Sequence, residues 1–278
     1  MPRLIAYPGV TGSFSAAAAA AAFPEDECFG CPTFPEAAQA VTEGRAELAV
    51  IPVENSFAGA VSATYQLLER LPLHIVGETS RRVRHQLLGL PGSRLEDIRI
   101  ISSHPQAIAQ CDAFLSTMKG VQLITSANTA ISAREVGELG DPARAAIASE
   151  EAARAFGLQV LAADIETSKS NTTRFLILSM DEKPLAEPDK ATVAFTVNNR
   201  VGALVQVLIS FAISGLNMSR IESRPIPDTP FAYAFLADFE GPMDQEHLAA
   251  AMEAARPFAR NLRLLGVYPR AGSAFPGA

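Results

Sequence analysis

The sequence predicts an α/β protein with largely parallel sheets, followed by a smaller ferredoxin-like unit. Over the first two-thirds of the chain, short apolar runs typical of buried strands alternate with helix-forming segments, as in βαβ units. A charged segment with two prolines, residues 181–190, then indicates an exposed linker. After it the pattern changes to the order βαββαβ over residues 191–270.

The individual elements follow from local composition. Strands are predicted at residues 4–7, 48–53, 73–76, 85–90, 98–102, 121–125, 145–148 and 174–180, with another short strand at the CFGC segment. Helices are predicted at residues 14–23, 35–43, 61–70, 105–118, 129–139 and 150–156. The first helix is rich in alanine, the residue with the highest helix propensity. The second part has predicted strands at residues 191–197, 218–225, 231–239 and 262–268 and helices at 203–214 and 245–255.

Composition excludes several classes of protein. The chain has 278 residues, of which 48% are hydrophobic and 19% charged, which suits one large or two ordinary globular domains. Its net charge is −7 and it has no basic stripe, so we expect neither nucleic acid nor an anionic membrane as a partner. The sequence contains no run of 18 or more apolar residues, so it predicts no membrane span.

Cysteine usage and missing motifs narrow the chemistry. Three cysteines give no disulfide framework and indicate a reducing compartment, so we expect a cytoplasmic protein. Cys28 and Cys31 form a lone CxxC, which we interpret as two reduced thiols rather than a redox pair or zinc site. The chain lacks nucleotide-binding glycine patterns and metal-ligand arrays, so we expect no metal and no cofactor.

Three strand-to-helix junctions carry hydroxyl or small polar residues where a helix begins. They contain Ser13, the group Ser103-His104-Pro105-Gln106, and Ser126. Free N–H groups and a partial positive charge at a helix N-terminus bind carboxylates well. Serine is also an ordinary helix cap, so each junction alone has a purely structural alternative. Three junctions in one α/β domain favour a pocket for an anionic ligand.

Two further segments are dense in polar groups. Residues 52–59 end an apolar strand with Asn55 and Ser56, and residues 171–175 read Asn-Thr-Thr-Arg-Phe. The first segment is also compatible with a simple turn. The second is also compatible with the entry to a strand carrying one surface arginine.

Several of these segments resemble the prephenate dehydratase family. SHPQAIAQC at residues 103–111, PVENSFAGAV at 52–61 and NTTRF at 171–175 are similar to its signature blocks, in the same order and spacing. YPGVTGSFS at residues 7–15 is similar to the opening of the family, and His85-Gln86-Leu87 fits its HxL step. Pro8, Val10 and Ser13 depart from the opening pattern, and Thr167 replaces the usual aspartate near the NTTRF block.

The resemblance implies a two-lobed catalytic domain of the type II periplasmic-binding-protein-like fold at residues 1–180. One lobe would hold residues 1–78 and 165–180, and the other residues 79–164. Residues 181–190 would be the linker, residues 191–270 a ferredoxin-like ACT regulatory domain, and residues 271–278 a loose tail.

The resemblance also implies the reaction, in which prephenate loses water and carbon dioxide to give phenylpyruvate. It assigns donation to the leaving hydroxyl to Thr173. We expect Arg174 to clamp a carboxylate and Phe175 to form an apolar wall. His104 either titrates in the site or caps its helix. The remaining expected substrate contacts are Ser13, Asn55, Ser56, Ser103, Gln106 and Ser126.

The second domain resembles an ACT domain that binds L-phenylalanine. Its GALV motif comprises Gly202, Ala203, Leu204 and Val205, and its ESRP motif comprises Glu222, Ser223, Arg224 and Pro225. ACT domains commonly pair, so the resemblance implies a homodimer or homotetramer with phenylalanine as effector.

Two alternatives remain open from the sequence. An arogenate dehydratase would share every motif and differ in preferring an amino group to a keto group on the substrate side chain. A solute-binding or amino-acid sensor protein of the same architecture is a different class. The NTTRF block argues against this class. The N-terminal apolar stretch also argues against it, because Pro8 and Gly9 interrupt the stretch, unlike the apolar core of a signal peptide.

Overall fold

The computed structural model describes residues 2–226, 229 and 232–272. The chain divides into two compact units, the first formed by Met1–Thr64 with Ser80–Phe175 and the second by Tyr65–Thr79 with Leu176–Ala278. This division differs from the expected boundary near residue 180, because residues 65–79 and 176–180 group with the C-terminal part. Of the expected loose tail, residues 273–278 lie outside the described residues.

Among the described residues, the strands of the first part of the chain form two sheets. The strands are β1 (Leu4–Pro8), β2 (Glu27–Cys31), β3 (Leu48–Asn55), β4 (Gly59–Ala60), β5 (His74–Arg82), β6 (Gln86–Gly89), β7 (Ile100–Ser103), β8 (Gln122–Thr125), β9 (Arg144–Ala148), β10 (Gln159–Ala162) and β11 (Thr172–Ser179). One sheet has the order β2-β1-β3-β11-β5 with β4 beside β3, and the other has the order β10-β6-β9-β7-β8. The chain passes from the first sheet to the second after β5 and returns to the first sheet at β11. This arrangement confirms the predicted two-lobed, type II periplasmic-binding-protein-like class.

Helices connect these strands. They are α1 (Phe14–Ala22), α2 (Phe34–Thr42), α3 (Ser62–Arg70), α4 (Pro105–Gln110), α5 (Asp112–Leu115), α6 (Thr129–Leu139) and α7 (Glu150–Phe156), with a 3-10 turn at Leu95–Asp97. Within the first unit, β1 is parallel to both β2 and β3, and β7 is parallel to β8 and β9. None of the described helices combines the length and apolar character needed to cross a bilayer.

A close approach at Gly12 joins the two lobes inside the first unit. The hydroxyl of Ser149, which caps α7, donates to the Gly12 carbonyl oxygen at 2.7 Å. Gly12 has a φ of 82°, and a Cβ built on it would lie 2.8 Å from Cα of Ala152. Only glycine fits here, both for its backbone conformation and for the space available.

The predicted helix at residues 105–118 is wrong in its continuity. It breaks at Cys111 into α4 and α5. The reason is that the Gln110 carbonyl oxygen accepts a hydrogen bond from the Thr167 backbone N–H at 2.8 Å, and Thr167 also donates its hydroxyl to Asp112. Thr167 therefore helps to end α4 beside Gln110.

Other boundaries differ from the sequence prediction. Strand β5 continues through Arg82 instead of ending near Val76, and β4 and β10 had no predicted counterpart. The predicted strand at residues 231–239 begins at Tyr233 in the structure, and residue 231 lies outside the described residues.

The second unit contains the predicted βαββαβ order. Its elements are β12 (Lys190–Val197), α8 (Ala203–Ile213), β13 (Asn217–Pro225), β14 (Tyr233–Glu240), α9 (Gln245–Ala255) and β15 (Ala259–Tyr268). The antiparallel sheet has the order β13-β14-β12-β15, which is the ferredoxin-like arrangement. Its core includes Phe211 stacked on Phe239, with ring centroids 4.1 Å apart.

A buried ion pair ties residues 65–79 into the second unit. Lys190 Nζ lies 3.2 and 3.3 Å from the two carboxylate oxygens of Glu78 and 3.7 Å from Glu240 Oε1. Glu78 also accepts the Ala271 backbone N–H at 2.9 Å. The sequence placed Lys190 at the end of an exposed linker, whereas it begins β12 and is 6% exposed. The expected exposure is therefore wrong for this residue.

The pair predicts a large stability effect when one partner is removed. Lys190→Met should lower the free energy of unfolding by about 3 kcal/mol, because Glu78 loses a buried counter-ion. Lys183→Met, at an exposed lysine, serves as the control and should change it by less than about 0.5 kcal/mol. Urea unfolding followed by far-UV circular dichroism measures both. Equal stability of Lys190→Met and wild type would contradict the prediction.

Candidate active site

The first unit holds a cleft of about 720 Å³ at the carboxyl ends of β1, β2, β3, β7 and β8. Four helices begin at its walls. Their N-cap residues, each accepting a hydrogen bond from the first turn of its own helix, are Ser13, Thr33, His104 and Asn128. Helix N-termini carry partial positive charge and unpaired N–H groups, so their convergence favours an anionic ligand.

Among the described residues, the lining of this cleft contains no Asp, Glu, Lys or Arg side chain. Its polar groups are hydroxyls, amides and imidazoles, and its walls include Phe14, Phe34 and Phe175. An anion in this cleft would therefore be held by dipoles and hydrogen-bond donors.

A chain of side-chain amides begins at Asn55, the last residue of β3. Its Oδ1 accepts the backbone N–H groups of Phe57 at 3.0 Å and Ala58 at 2.9 Å. Its Nδ2 donates to Thr173 Oγ1 at 2.9 Å and to Asn171 Oδ1 at 2.8 Å. Because Thr173 Oγ1 accepts this bond, the hydroxyl proton of Thr173 is left to donate elsewhere.

The chain continues through Asn171 to two residues of the cleft wall. Asn171 Nδ2 donates to Gln110 Oε1 at 3.1 Å, and His85 Nε2 lies 2.8 Å from the same oxygen. Gln110 and His85 both line the cleft, and all three side chains are buried. One hydrogen-bonded array therefore extends from the turn after β3 to His85.

Burial controls the charge of His85. The side chain is 2% exposed and its ring packs edge-to-face on Phe14, with centroids 5.6 Å apart. Burial lowers the pKa of His85 below its usual value, against smaller opposing effects of Gln110 and Glu166. The Glu166 carboxylate accepts the His85 backbone N–H at 3.0 Å. The side chain of His85 is therefore a neutral imidazole near pH 7.

The structure brings together six of the residues expected from the sequence. Those that line the cleft are Ser13, Asn55, His104, Gln106, Thr173 and Phe175. His104 caps α4, because its Nδ1 accepts the Gln106 backbone N–H at 3.2 Å, and it also lines the cleft.

Three expected serine contacts point elsewhere. Ser103 is fully buried and donates to the Ile147 carbonyl oxygen at 2.7 Å. Ser126 donates to the Asn128 carbonyl oxygen at 3.0 Å. Ser56 donates to the Ser170 carbonyl oxygen at 3.3 Å. None of the three is among the cleft-lining residues, so their hydroxyls stabilise strand ends and loops in this structure.

Arg174 also differs from its expected position. Its side chain is directed to Glu54, with Nε 3.5 Å from the carboxylate, and it is not among the cleft-lining residues. Alternation along β11 explains this, since Thr173 and Phe175 face the cleft and the residue between them faces away. The ion pair therefore links the ends of β3 and β11, and the helix N-termini supply the positive potential in the cleft.

The sequence analysis did not single out the cleft-lining residues His85 and Gln110, their hydrogen-bond partner Asn171, or the cap Thr33. His85, Gln110 and Asn171 all lay inside quoted motif segments, but nothing local distinguished them from their neighbours. Their signal is the contact with one another across separations of 25 and 61 residues.

The two predicted effector motifs lie on different elements of the second unit. Gly202 precedes α8 with a φ of 77°, and Val205 lines a cavity of about 280 Å³ beside that helix. Arg224 and Pro225, at the end of β13, line another cavity of about 300 Å³. The remaining members of the two motifs lie on the same two elements: Ala203 and Leu204 on α8, and Glu222 and Ser223 on β13. One chain therefore keeps the two motifs at separate cavities.

The three thiols are not activated, and the described residues contain no cluster suited to a metal ion. Burial raises the pKa of Cys28 and of Cys31, so neither is an activated thiolate. Burial likewise raises the pKa of Cys111 to about 12. In the described part of the chain, no group of three His, Cys, Asp or Glu side chains is arranged to hold a metal ion.

Comparison with known proteins points to one family. The prephenate dehydratase family model matches residues 5–183. The arogenate dehydratase/prephenate dehydratase 1 of Arabidopsis thaliana, a chloroplastic protein, is 38% identical over 281 residues, covering 95% of this chain and 71% of the relative. The bifunctional N-acyl-homoserine lactone acylase/prephenate dehydratase of Komagataeibacter europaeus is 40% identical over 270 residues, covering 96% of each.

A solved structure extends the similarity to the whole fold. The prephenate dehydratase of Arthrobacter aurescens in complex with L-Phe superposes with a TM-score of 0.88 and is 32% identical. The match covers 98% of this chain and 92% of that chain, so both the two-lobed part and the βαββαβ part are shared.

The buried imidazole predicts a specific pH dependence of stability. In the unfolded chain the pKa of His85 is about 6.5, whereas in the folded chain burial lowers it. Stability from this group is therefore complete above that pH and is lost as pH falls below it. Denaturant unfolding of wild type and His85→Gln from pH 7.5 to 5 should show a flatter dependence for the variant. Parallel curves would contradict the assigned burial effect.

Proposed function

The chain belongs to the prephenate dehydratase family, and we propose that the cleft of its first unit converts prephenate to phenylpyruvate, water and carbon dioxide. The enzyme is a hydro-lyase. Phenylpyruvate is the keto acid of phenylalanine, so the reaction serves phenylalanine biosynthesis. The observation that carries the proposal is the Thr173 hydroxyl, which receives a hydrogen bond from Asn55 inside an anion-favouring cleft.

The substrate fits the electrostatics of the cleft. Prephenate is a dianion with two carboxylates and a ring hydroxyl. The N-termini at Ser13, Thr33 and Asn128 provide donors for carboxylates without a buried cation. Phe14 and Phe175 provide apolar surface for the ring. A carboxylate held by dipoles in an apolar setting loses its charge as carbon dioxide more readily than one held in a tight salt bridge.

Thr173 donates to the departing oxygen. The bond from the ring carbon to the hydroxyl breaks, and the oxygen leaves as water after receiving a proton. The bond from the ring to the carboxylate also breaks, and its electron pair completes the aromatic ring as carbon dioxide leaves. Asn55 Nδ2 stabilises negative charge that develops on Thr173 Oγ1, because it donates to that atom at 2.9 Å. Solvent then restores the proton.

Arg174 takes a supporting part in this proposal. Its ion pair with Glu54 holds β11 against β3 at the level of Thr173 and Asn55. It therefore positions the donor pair and does not clamp the substrate.

The choice between prephenate and arogenate depends on the side-chain end of the substrate. Relatives carry both names, and the arogenate side chain bears an ammonium group in place of the keto group. Among the described residues, the lining of the cleft contains no Asp or Glu carboxylate for that ammonium, which favours prephenate. Parallel assays with both substrates decide the preference. A solute-binding protein would bind either compound without forming phenylpyruvate or phenylalanine.

The second unit acts as an ACT regulatory domain for phenylalanine in this proposal. Its α8 exposes an apolar row with helical spacing, formed by Val205, Ile209 and Ile213, and Val201 is exposed just before the helix. Strand β13 lies at the edge of the sheet. A second copy of the chain covers both, forming a homodimer or a homotetramer built from dimers. Pairing brings the motif at Gly202 of one copy to the motif at Arg224 of the other, which accounts for their separation within a single chain.

A cytoplasmic location is part of the proposal. Its support is the three free cysteines, which suit a reducing compartment.

Substitution of Thr173 tests the reaction. Thr173→Ala should lower kcat by about 10²–10⁴-fold with a smaller change in KM, because donation matters most in the transition state. Thr173→Ser, the matched control, keeps the hydroxyl and should retain most activity. Phenylpyruvate absorbance measures the rate on prephenate. An alanine variant with wild-type turnover would remove Thr173 from the mechanism.

Substitution of Gly202 tests regulation. A Cβ built on Gly202 has no neighbour within 4 Å in one chain, so the effect of a substitution there comes from the φ of 77° and from the ligand or partner proposed to bind at this motif. Gly202→Val should weaken phenylalanine inhibition by about tenfold or more. Gly215→Val is the matched control, since Gly215 has a φ of 75° beyond the other end of α8. Phenylalanine titrations of activity measure both, and equal sensitivity of the two variants would place the effector site elsewhere.

A further inference from the structure

The amide chain of the cleft has a direction that two backbone groups determine. The N–H groups of Phe57 and Ala58 can only donate, so the atom of Asn55 that meets them is its oxygen. The nitrogen of Asn55 then faces Asn171, which must present its own oxygen. The orientation of each amide therefore follows from the one before it.

The same reasoning fixes the last two members. With its oxygen used by Asn55, Asn171 presents its nitrogen to Gln110, which must accept through Oε1 at 3.1 Å. His85 Nε2 meets that oxygen at 2.8 Å and must therefore donate. Neutral His85 consequently carries its proton on Nε2. Its Nδ1 is buried and has no partner among the described residues, which suits an unprotonated nitrogen better than an N–H group.

Gln110 is the member whose function depends on this arrangement. Its oxygen accepts two hydrogen bonds, and its Nε2 donates to no described residue, while the side chain lines the cleft. With the oxygen held from two sides, the amide hydrogens are left for a ligand. Without His85, a single hydrogen bond from Asn171 would hold Gln110, and the amide would sample other orientations.

We infer that His85 is a positioning residue of the reaction: its Nε2–H holds Gln110 Oε1 so that the Gln110 amide hydrogens face the substrate in the cleft. This inference rests on the proposed function for the identity of the substrate. His85 itself exchanges no proton with substrate, and it acts only through Gln110.

A set of three substitutions isolates the donor. In His85→Gln the side-chain nitrogen reaches the position of Nε2, whereas in His85→Asn it reaches only that of Nδ1, and His85→Leu has no donor. The leucine and asparagine variants should lose on the order of tenfold in kcat on prephenate, the value of one hydrogen bond, with KM within about twofold. The glutamine variant should stay within about threefold of wild type. His247→Gln, at an exposed position of α9, is the control for histidine substitution.

A double-variant cycle tests whether His85 acts through Gln110. In a Gln110→Ala background, His85→Leu should cause no further loss in kcat, because the group that it positions is gone. Rates are taken per folded protein, with thermal unfolding and circular dichroism of each variant. If the leucine variant does not fold, the comparison of glutamine with asparagine still decides.

Three results would overturn the inference. They are wild-type kcat in the leucine and asparagine variants, equal losses in all three variants, and additive losses in the cycle. Nitrogen-15 NMR of wild type gives an independent test that needs no turnover. We expect the Nε2-protonated tautomer of His85, and a neutral Nδ1-protonated ring would refute the inference. A wild type that is inert on prephenate and arogenate would instead refute the proposed function, and the tautomer would still be decided.

Discussion

The chemistry of the cleft depends on the turn that follows β3. There the backbone N–H groups of Phe57 and Ala58 hold the oxygen of Asn55 and turn its nitrogen toward Thr173. A reversed amide would accept the Thr173 proton and remove the donor from the reaction. The backbone of this turn thus determines that the Thr173 hydroxyl proton is available to the substrate. The same two N–H groups determine the tautomer of a histidine that they never contact.

Positive potential without positive side chains is the second property of the cleft. Converging helix N-termini attract a dianion, yet they form no ion pair that must be broken when one carboxylate becomes neutral carbon dioxide. Arginine is present nearby, but Arg174 faces Glu54. The arrangement separates two needs, since the charged pair stabilises the framework and the dipoles bind the substrate. Neutral His85, kept uncharged by burial, is consistent with this division.

The sequence predicted much of this, for identifiable reasons. Helices with N-caps, such as the alanine-rich α1 and the mixed α6, follow from local propensity and capping, and the βαββαβ order follows from the change of pattern after residue 180. Properties that depend on distant partners did not follow. Lys190 looks like a linker residue until Glu78 is placed beside it, and the break in α4 requires Thr167. Arg174 looks like a ligand-binding group until strand alternation turns it away, and Gln110 gains its importance only from His85 and Asn171.

The grouping of residues 65–79 with the C-terminal unit has a consequence for synthesis of the chain. Glu78 bonds to Lys190 across 112 residues and to Ala271 across 193. While the ribosome is still making the later residues, this early segment has none of those partners, and buried residues such as Tyr65 and Ile75 remain exposed to water. Long-range contacts of this kind slow folding and extend the lifetime of aggregation-prone intermediates. A nascent chain of this enzyme therefore has a hydrophobic segment for chaperones to shield until the C-terminal sheet has been made.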